Sequence, residues 1–204
     1  MEDHNAGAGD SVAQRDVTAR DATARDGSTR DGTPRRDSAA GSSTLVRSAV
    51  SRDARVLATL MEGVYAEGNW FVGDGGPRPD QLTRRLRSLD PREENFLVAE
   101  RSGVVIGWAE ARRYAPSRMQ HVATLTLAVA GPARRRGAGR ALLRAVVQWA
   151  RRVGVTKLRL DVRAGNLAAR ELYAAEGFCV EGTERAQIRN GDRFEDNVIM
   201  ARFL

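Results

Sequence analysis

The segment GPARRRGAGR at residues 131–140 combines residue types that bind phosphate groups. It lies between an apolar segment (121–130) and a segment with apolar residues at three- and four-residue spacing, which predicts a strand, a loop and a helix. A helix N-terminus presents unpaired N–H groups and the positive end of its dipole, and glycine lets the backbone approach a ligand closely. The segment therefore predicts a pyrophosphate site, with a solvent-exposed basic loop as the alternative. Its positive charge comes from four arginines: Arg134, Arg135, Arg136 and Arg140.

Two familiar phosphate motifs do not match this segment. A Walker loop requires Gly-Lys-Ser/Thr, but the single lysine of the chain is Lys157. A dinucleotide-binding fingerprint requires a third glycine where Leu142 stands, and it should follow the strand directly. Asp161, at the end of the next predicted strand, has roughly the spacing of a ribose ligand, which keeps dinucleotide binding as a minor alternative.

A second segment, NLAARELYAAEGF at residues 166–178, adds to this pattern. Together with the loop, it resembles the GNAT superfamily of N-acetyltransferases over about residues 45–204. The family's loop signature, Arg/Gln-x-x-Gly-x-Gly/Ala, corresponds to Arg134, Gly137 and Gly139. The second segment is similar to the family's Asn-x-x-Ala-x-x-x-Tyr-x-x-x-Gly-Phe element, with matches at Asn166, Ala169, Tyr173, Gly177 and Phe178.

One position of the loop departs from the family pattern. Many members have glycine where this chain has Arg135, so we expect the backbone N–H at this position to approach a phosphate less freely. Pro132 also lies one position later than in many members, without a net change of spacing.

The resemblance implies that acetyl-CoA is the donor co-substrate, that no metal is needed, and that a primary amine attacks the thioester directly. A strand N–H near Val129 would polarise the thioester carbonyl. The residues that the resemblance and the loop chemistry assign to acetyl-CoA binding are Leu127, Ala128, Val129, Arg134, Arg135, Arg136, Gly137, Ala138, Gly139, Arg140, Asn166 and Tyr173.

The reaction that the resemblance implies needs an acid or hydrogen-bond donor for the departing thiolate and a base for the amine. Tyr173 corresponds to the family's tyrosine acid, and a phenol with a pKa near 10 is protonated at neutral pH. The base is assigned to Glu110, on a strand predicted to lie beside the central one, although a solvent-facing side chain is the alternative. His121 and a water-mediated route are two further alternatives.

The composition of the chain excludes several other classes of protein. Among its 204 residues, the single cysteine, Cys179, excludes an internal disulfide framework, and two histidines make a His-rich metal site unexpected. We expect Cys179 to be a small core residue. Since the sequence shows no secretory signal or membrane-spanning apolar stretch, we also expect the protein to be cytoplasmic and without membrane contact.

The charge divides the chain into two parts. Residues 1–44 hold 6 arginines and 8 acidic residues and contain no Leu, Ile, Phe, Trp, Tyr or Cys. This composition predicts a disordered low-complexity tail, with a partner-binding arm as the alternative. Residues 45–204 hold 27 basic and 18 acidic residues, so the net charge of +7 comes from this part alone. An excess of arginine indicates an anionic partner, and the loop at 131–140 favours CoA phosphates over nucleic acid.

Residues 45–204 predict one domain with a mixed α/β (α+β) fold. The periodicity indicates an early helical region, with one helix ending at about Gly63 and a short helix, placed to be capped by Asp80, ending at Leu89. A meander follows and leads to a central strand at 121–130 and a β-α-β crossover through the helix at about 137–153. The last elements are a helix at about 166–176, which Asn166 is placed to cap, and a hairpin turning at Asn190-Gly191. The resemblance implies a GNAT-like fold, with a central mixed, mostly antiparallel sheet flanked by helices and a β-α-β acetyl-CoA-binding core.

The sequence does not decide whether the acceptor substrate is a small-molecule amine or the N-terminus or a lysine of a peptide. Trp70 and Phe71 precede a glycine-rich loop, and they could form an acceptor wall or belong to the core or an interface. A homodimer is left open as well. The alternative function is a non-catalytic acyl-CoA-binding or nucleic-acid-binding protein of the same fold.

Overall fold

The computed structural model describes residues 43–204. Of the predicted tail, residues 1–42 lie outside the described residues. Within residues 43–204, no helix is long and apolar enough to cross a membrane. This part of the chain also contains no group of three or more His, Cys, Asp or Glu side chains placed to hold a metal ion.

The described residues form strands and helices in the order that the sequence pattern predicts. The strands are β1 (Leu45–Ser48), β2 (Glu94–Arg101), β3 (Val104–Arg113), β4 (Val122–Val129), β5 (Lys157–Arg163), β6 (Cys179–Asn190) and β7 (Arg193–Phe203). The helices are α1 (Ala54–Ala66), α2 (Pro79–Ser88), α3 (Ala138–Arg152) and α4 (Leu167–Ala175).

A single seven-stranded sheet joins these strands in the order β1-β2-β3-β4-β5-β7-β6. All neighbouring strands are antiparallel except β4 and β5, which α3 connects as a β-α-β crossover. The predicted mixed, mostly antiparallel sheet is therefore confirmed. The predicted central position of 121–130 is confirmed too, since β4 is the fourth strand of seven.

The parallel pair β4–β5 is short. Its register runs from Val122 opposite Lys157 to Thr124 opposite Arg159, which is three residue pairs, although β4 continues to Val129 and β5 to Arg163. The carboxyl-terminal halves of the two strands therefore diverge and open a gap in the middle of the sheet.

Two hydrophobic clusters cover the two faces of the sheet. Because strand side chains alternate between faces, the neighbouring β3 residues Trp108 and Ala109 belong to different clusters. One cluster packs α3 against the sheet through Leu142, Leu143 and Val146. The other packs α1 and α2 against the opposite face around Trp108. Each face thus carries its own layer of helices.

Two helix boundaries differ from the sequence prediction. Helix α1 continues past Gly63 to Ala66, because Val64 is buried and extends the apolar stripe of Leu57 and Met61 by a further turn. Asp80 was expected to cap α2, but the helix begins one residue earlier, at Pro79. Proline suits the first helical position because its φ is already helical and it has no N–H to satisfy.

Two other expectations at chain turns and edges have contrasting outcomes. Asn166 caps α4 as predicted, since its side-chain Oδ1 accepts the N–H of Ala169 at 3.2 Å. Cys179 is exposed, so its expected place in the core is wrong. The reason is topological, since Cys179 starts β6, one of the two edge strands of the described sheet, which has a neighbour on one side only.

Asp53 holds the start of α1 to the edge of the sheet. Its carboxylate accepts the N–H of Val50 at 2.8 Å and two N–H groups of Arg47, at 2.7 and 3.0 Å. Arg47 also donates to Glu100 on β2 at 3.0 Å. The hydrogen bond from Arg47 lowers the pKa of the buried Asp53 carboxyl below its usual value.

Replacing Asp53 by Asn should lower the free energy of unfolding by about 2 kcal/mol at neutral pH, since hydrogen bonds to a charged, buried group are lost. The lowered pKa means that this contribution is present above the unfolded pKa of about 4 and disappears as the pH falls through the folded value. Denaturant unfolding between pH 7 and pH 3 measures it, and the difference between variant and wild type should shrink towards acid. Asp80→Asn, at an exposed ion pair, is the control and should change stability by less than about 0.5 kcal/mol. Equal effects of the two substitutions would contradict this role of Asp53.

Candidate functional site

The gap between β4 and β5 opens into a cleft of about 1080 Å³. The loop at 131–140, the first turn of α3, and α4 line one part of it, and the segment 70–72 with residues of β6 and β7 lines another part. All the residues predicted to bind acetyl-CoA lie along this cleft except Arg136. The structure thus brings together two sequence segments, 127–140 and 166–173, that are separate in the chain.

The backbone of β4 forms one wall of the cleft. The N–H of Ala130 donates to the carbonyl of Ile106 on β3 at 2.9 Å. Because backbone polar groups alternate in direction along a strand, those of Val129 point the other way, into the gap. The Val129 carbonyl there accepts Nε of Arg134 at 2.8 Å, and its N–H faces the cleft. The Val129 N–H therefore points to the side of β4 from which a carbonyl group in the cleft could accept it.

Glycine occupies positions 137 and 139 of the loop for two different structural reasons. Gly137 precedes α3 with φ of +85°, a left-handed conformation that disfavours side chains, although a Cβ there would contact nothing within 4 Å. Gly139 instead permits close packing, since a Cβ would lie 3.2 Å from Leu172 on α4. The first backbone bond of α3 runs from Ala141 N–H to the Gly137 carbonyl at 3.0 Å. The N–H groups of the preceding turn therefore have no intrahelical acceptor and are available to an anion.

The four arginines of this loop do not share one role. The guanidinium of Arg134 is engaged by Glu67, with N–O distances of 2.7 and 2.8 Å. Arg140 pairs with Glu176 at 3.0 Å. Arg135 and Arg136 are exposed, and the Arg136 carbonyl accepts a hydrogen bond from Arg101 at 3.0 Å. Arg135 lines the cleft and has no ion pair among the described residues, and Arg136 follows it in the exposed part of the loop. Together with the partly neutralised Arg140, these are the loop charges open to a phosphate ligand.

Tyr173 lies on α4, where its ring is buried and packs 5.8 Å from the ring of Phe178. The residue lines the cleft. Burial raises the pKa of its hydroxyl well above the usual value of about 10. The hydroxyl is therefore protonated throughout the neutral range and can act as a hydrogen-bond donor inside the cleft.

Glu110 lies in a smaller pocket of about 420 Å³ next to the cleft. Its carboxylate pairs with Arg85 of α2 at 2.6 Å. Thr126, which is opposite Glu110 in the β3–β4 register, lines both spaces. Glu110 therefore faces the α1–α2 side of the sheet, close to the cleft without lining it.

A carboxylate that does line the cleft is Asp161, near the end of β5. It is held by Asn197 Nδ2 at 3.2 Å and Arg159 Nη2 at 3.1 Å. Sequence reasoning weighed Asp161 only as a ribose ligand. Its position in KLRLDVR was an available signal, because alternation puts Asp161 on the face opposite the buried Leu160 and Val162, at the carboxyl end of the parallel strand.

The remaining candidates lie at contrasting places. His121 precedes β4, at the end of the strand opposite to the cleft, where its carbonyl accepts the N–H groups of Thr156 and Lys157. Trp70 and Phe71 both line the cleft. Phe71 also stacks on Tyr65 and on the buried Trp108, with centroid distances of 4.8 and 5.9 Å. Phe71 therefore packs on the core and also lines the cleft, while its role as an acceptor wall stays a prediction.

The sequence model of the Acetyltransferase (GNAT) family matches residues 64–178, which include β4, the loop, α3, β5 and α4. This chain belongs to the GNAT family. The β4–β5 gap and the loop at 131–140 are thus the central part of a GNAT domain.

Curated relatives and solved structures agree with this assignment. The GNAT chain is 42% identical over 67 residues to the [Ribosomal protein bS18]-alanine N-acetyltransferase of Escherichia coli (strain K12), a match covering 33% of this chain and 45% of that protein. It is 32% identical over 123 residues to the N-alpha-acetyltransferase RimI of Mycobacterium tuberculosis, covering 60% and 74%. The crystal structure of the ribosomal-protein-alanine N-acetyltransferase from Brucella melitensis superposes with a TM-score of 0.71 at 28% identity, covering 78% of this chain and 99% of that one. The first match spans less than half of the relative's length.

The backbone at Arg135 gives a test of the loop geometry. Its φ is +62°, so the position where many GNAT members have glycine adopts a left-handed conformation in this chain too. Arg135→Gly should therefore be more stable to unfolding than Arg135→Ala by roughly 1 kcal/mol, because both remove the same charged group and only glycine avoids the left-handed strain. Thermal and denaturant unfolding of the two variants measure the difference. A more stable alanine variant would contradict this conformation of the loop.

Proposed function

We propose that this GNAT protein transfers the acetyl group of acetyl-CoA to a primary amine, most specifically the α-amino group of a peptide or protein N-terminus. The observation that carries the proposal is the cleft between β4 and β5, which has an anion-binding helix start at one end and both Tyr173 and Asp161 along its walls. Family membership supports the same reaction class.

The residues present fit the chemistry of acetyl-CoA. Its pyrophosphate suits the N–H groups at the start of α3, and its further phosphate suits the exposed charges of Arg135 and Arg136. Its amide-containing arm suits the backbone of β4 where the strand has separated from β5. When bound, acetyl-CoA supplies the acyl group as an activated thioester. The N–H of Val129 would then orient and polarise the carbonyl.

The proposed base is Asp161. A protonated amine cannot attack, and a carboxylate held inside the cleft by Asn197 and Arg159 can orient the ammonium group and accept its proton, directly or through water. An α-amino group has a pKa of about 7.7–8.0 and a lysine-like amine about 10.4. The α-amino group is therefore much easier to deprotonate at neutral pH. Glu110 stays a prediction for the same role.

The proposed role of Tyr173 is hydrogen-bond donation to the departing thiolate. Because burial raises the pKa of Tyr173 far above that of a thiol, about 8.5, complete transfer of its proton would be uphill. A hydrogen bond from the neutral phenol avoids this cost and still stabilises the negative charge on sulfur. The proton that finally reaches the thiolate would come from the solvent or from the base.

The acceptor end of the cleft supports a peptide. Trp70, Phe71 and Ile188 provide apolar surface around Asp161, and polar groups of Gln187 and Asn197 lie beside them. The Escherichia coli relative is named as an alanine N-acetyltransferase of a ribosomal protein and the Mycobacterium tuberculosis relative as an N-alpha-acetyltransferase, which favours an α-amino acceptor. A flexible peptide end with a neutral α-amine therefore suits this cleft better than a compact polycation.

An acceptor screen tests the proposed function. We expect thiol release from acetyl-CoA with peptides that carry a free N-terminal amine, weaker release with lysine side chains or polyamines, and sub-millimolar CoA binding in isothermal titration. N-terminally blocked copies of the same peptides are the control. Binding to duplex DNA that falls steeply with salt, without CoA binding, would instead support the nucleic-acid alternative.

Tyr173→Phe should lower kcat by about 100-fold and change the dissociation constant of acetyl-CoA by less than about twofold, because the variant loses only a donor to developing charge. Steady-state rates and titration calorimetry measure the two quantities. Unchanged turnover would remove Tyr173 from the reaction.

The variants Asp161→Asn and Glu110→Gln test which of the two carboxylates acts as the base. We expect Asp161→Asn to lower kcat/KM by about 100-fold at pH 7, with the deficit shrinking at alkaline pH where the amine is already neutral, and Glu110→Gln to stay close to wild type. The reverse result would assign the base role to Glu110. Two near-wild-type variants would favour water-mediated deprotonation.

A further inference from the structure

The acceptor end of the cleft and its phosphate-binding end are built on different layers of the fold. Trp70 and Phe71 pack on the cluster formed by α1, α2 and the sheet, whereas the start of α3 packs on the cluster of the opposite face. The segment that reaches across the β4–β5 gap between them is residues 67–72, directly after α1, which we call the α1 strap. Its attachments to both sides of the gap decide where the acceptor wall lies.

The first attachment is the ion pair between Glu67 and Arg134. Both carboxylate oxygens of Glu67 accept from the guanidinium, at 2.7 and 2.8 Å, in the bidentate geometry that makes arginine pairs directional. The third donor of Arg134, Nε, is on the Val129 carbonyl. One side chain of the loop therefore contacts the end of α1 and the end of β4 together.

Trp70 belongs to the same cluster of contacts. Its indole N–H donates to Glu67, and the guanidinium of Arg134 lies over its ring at 5.0 Å from the centroid. The hydrogen bond from Arg134 lowers the pKa of Glu67, so the carboxylate is charged at neutral pH. A displacement of Arg134 would thus be transmitted to Trp70 by two contacts.

The second attachment holds the strap to the other strand. Arg163, at the end of β5, is 5% exposed and donates to the Gly68 carbonyl at 2.8 Å. The same guanidinium pairs with Glu195 of β7 at 2.6 Å. Glu67 therefore attaches the strap to the loop after β4, and the next residue, Gly68, attaches it to the end of β5. The two attachments lie on opposite sides of the gap in which the reaction would take place.

We propose that the Glu67–Arg134 pair is a positioning element that couples occupation of the phosphate-binding loop to the placement of Trp70 at the acceptor end of the cleft. Arg134 lies in the loop that would close on the CoA phosphates, and its guanidinium is hydrogen-bonded to Glu67 of the strap. Occupation of the loop therefore stabilises the strap contacts, and an acceptor bound against Trp70 favours the same loop arrangement. By linkage the two effects on affinity are equal, so CoA and acceptor bind with positive cooperativity.

This proposal rests on the proposed function, and the test begins with CoA alone. The chain has three tryptophans, of which Trp108 and Trp149 are buried, so the emission lost in Trp70→Phe identifies the signal of Trp70. We expect CoA to change this signal in the wild type. In Glu67→Gln, we expect saturating CoA to change it far less, since the strap no longer follows Arg134.

Binding and kinetics provide the second measurement. Glu67→Gln should raise the CoA dissociation constant and the acceptor KM by about fivefold each, with kcat at saturation of both within about twofold. A mere loss of stability would not produce this split between KM and kcat. Glu67→Asp, which keeps the charge on a shorter side chain, should recover part of the effect. Glu62→Gln, on the preceding turn of α1, is the matched control and should behave as the wild type, since Glu62 contacts the Gly76 N–H and lies outside the strap.

Each outcome separates the coupling from the reaction. If Glu67→Gln binds CoA as tightly as the wild type and gives the same Trp70 signal, the coupling is wrong while the acetyltransferase proposal stands. If the wild type does not bind CoA, both proposals fall. If Glu67→Gln unfolds at the assay temperature, Arg134→Lys is tested in its place, because this variant keeps the loop charge and removes the bidentate guanidinium. An unchanged Trp70 response in Arg134→Lys would also overturn the coupling.

Discussion

The divergence of β4 and β5 is the constraint on which the rest of this structure depends. They form the only parallel pair in the described sheet, and they separate after three residue pairs. Backbone N–H and C=O groups at a gap inside a sheet need polar partners, because unpaired buried groups are costly. The Val129 carbonyl obtains one from Arg134, and the adjoining strand edge is offered to a ligand. The cleft, the strap and the glycine-rich helix start are all arranged around this opening.

Three arginines connect separate elements of the fold. Arg47, Arg134 and Arg163 each bind a carboxylate through two nitrogens and a carbonyl through a third or fourth contact, which a lysine ammonium would not reproduce. These residues join β1 to α1, the loop to the strap, and β5 to β7. These three arginines thus fasten separate elements together, whereas Arg135 and Arg136 are exposed loop residues whose charges are open to an anionic ligand.

Most of the secondary structure could be predicted because it depends on local patterns. The apolar stripe of α3, the cap at Asn166 and the Asn190-Gly191 turn each act within a few residues of the chain. The loop 134–140 and Tyr173 were found for the same reason, as contiguous motifs. The errors came from long-range arrangement. Cys179 is exposed because β6 is an edge strand. Asp161 was considered only as a ribose ligand, because the cleft that it lines is made of elements distant in sequence.

The sequence by itself determined the order of strands and helices, the residue types in the loop that suit an anion, and the resemblance to an acetyltransferase family, since each resides in side-chain spacing along a continuous segment. Only the tertiary structure decided which carboxylate enters the cleft and what Arg134 does. Alternation along each strand places Glu110 and Asp161 on a face of the sheet, but only the separation of β4 from β5 decides that Asp161 lines the cleft and Glu110 does not. Arg134 looks like a phosphate ligand in the chain, and it becomes the partner of Glu67, 67 residues away, because folding brings the end of α1 across the gap.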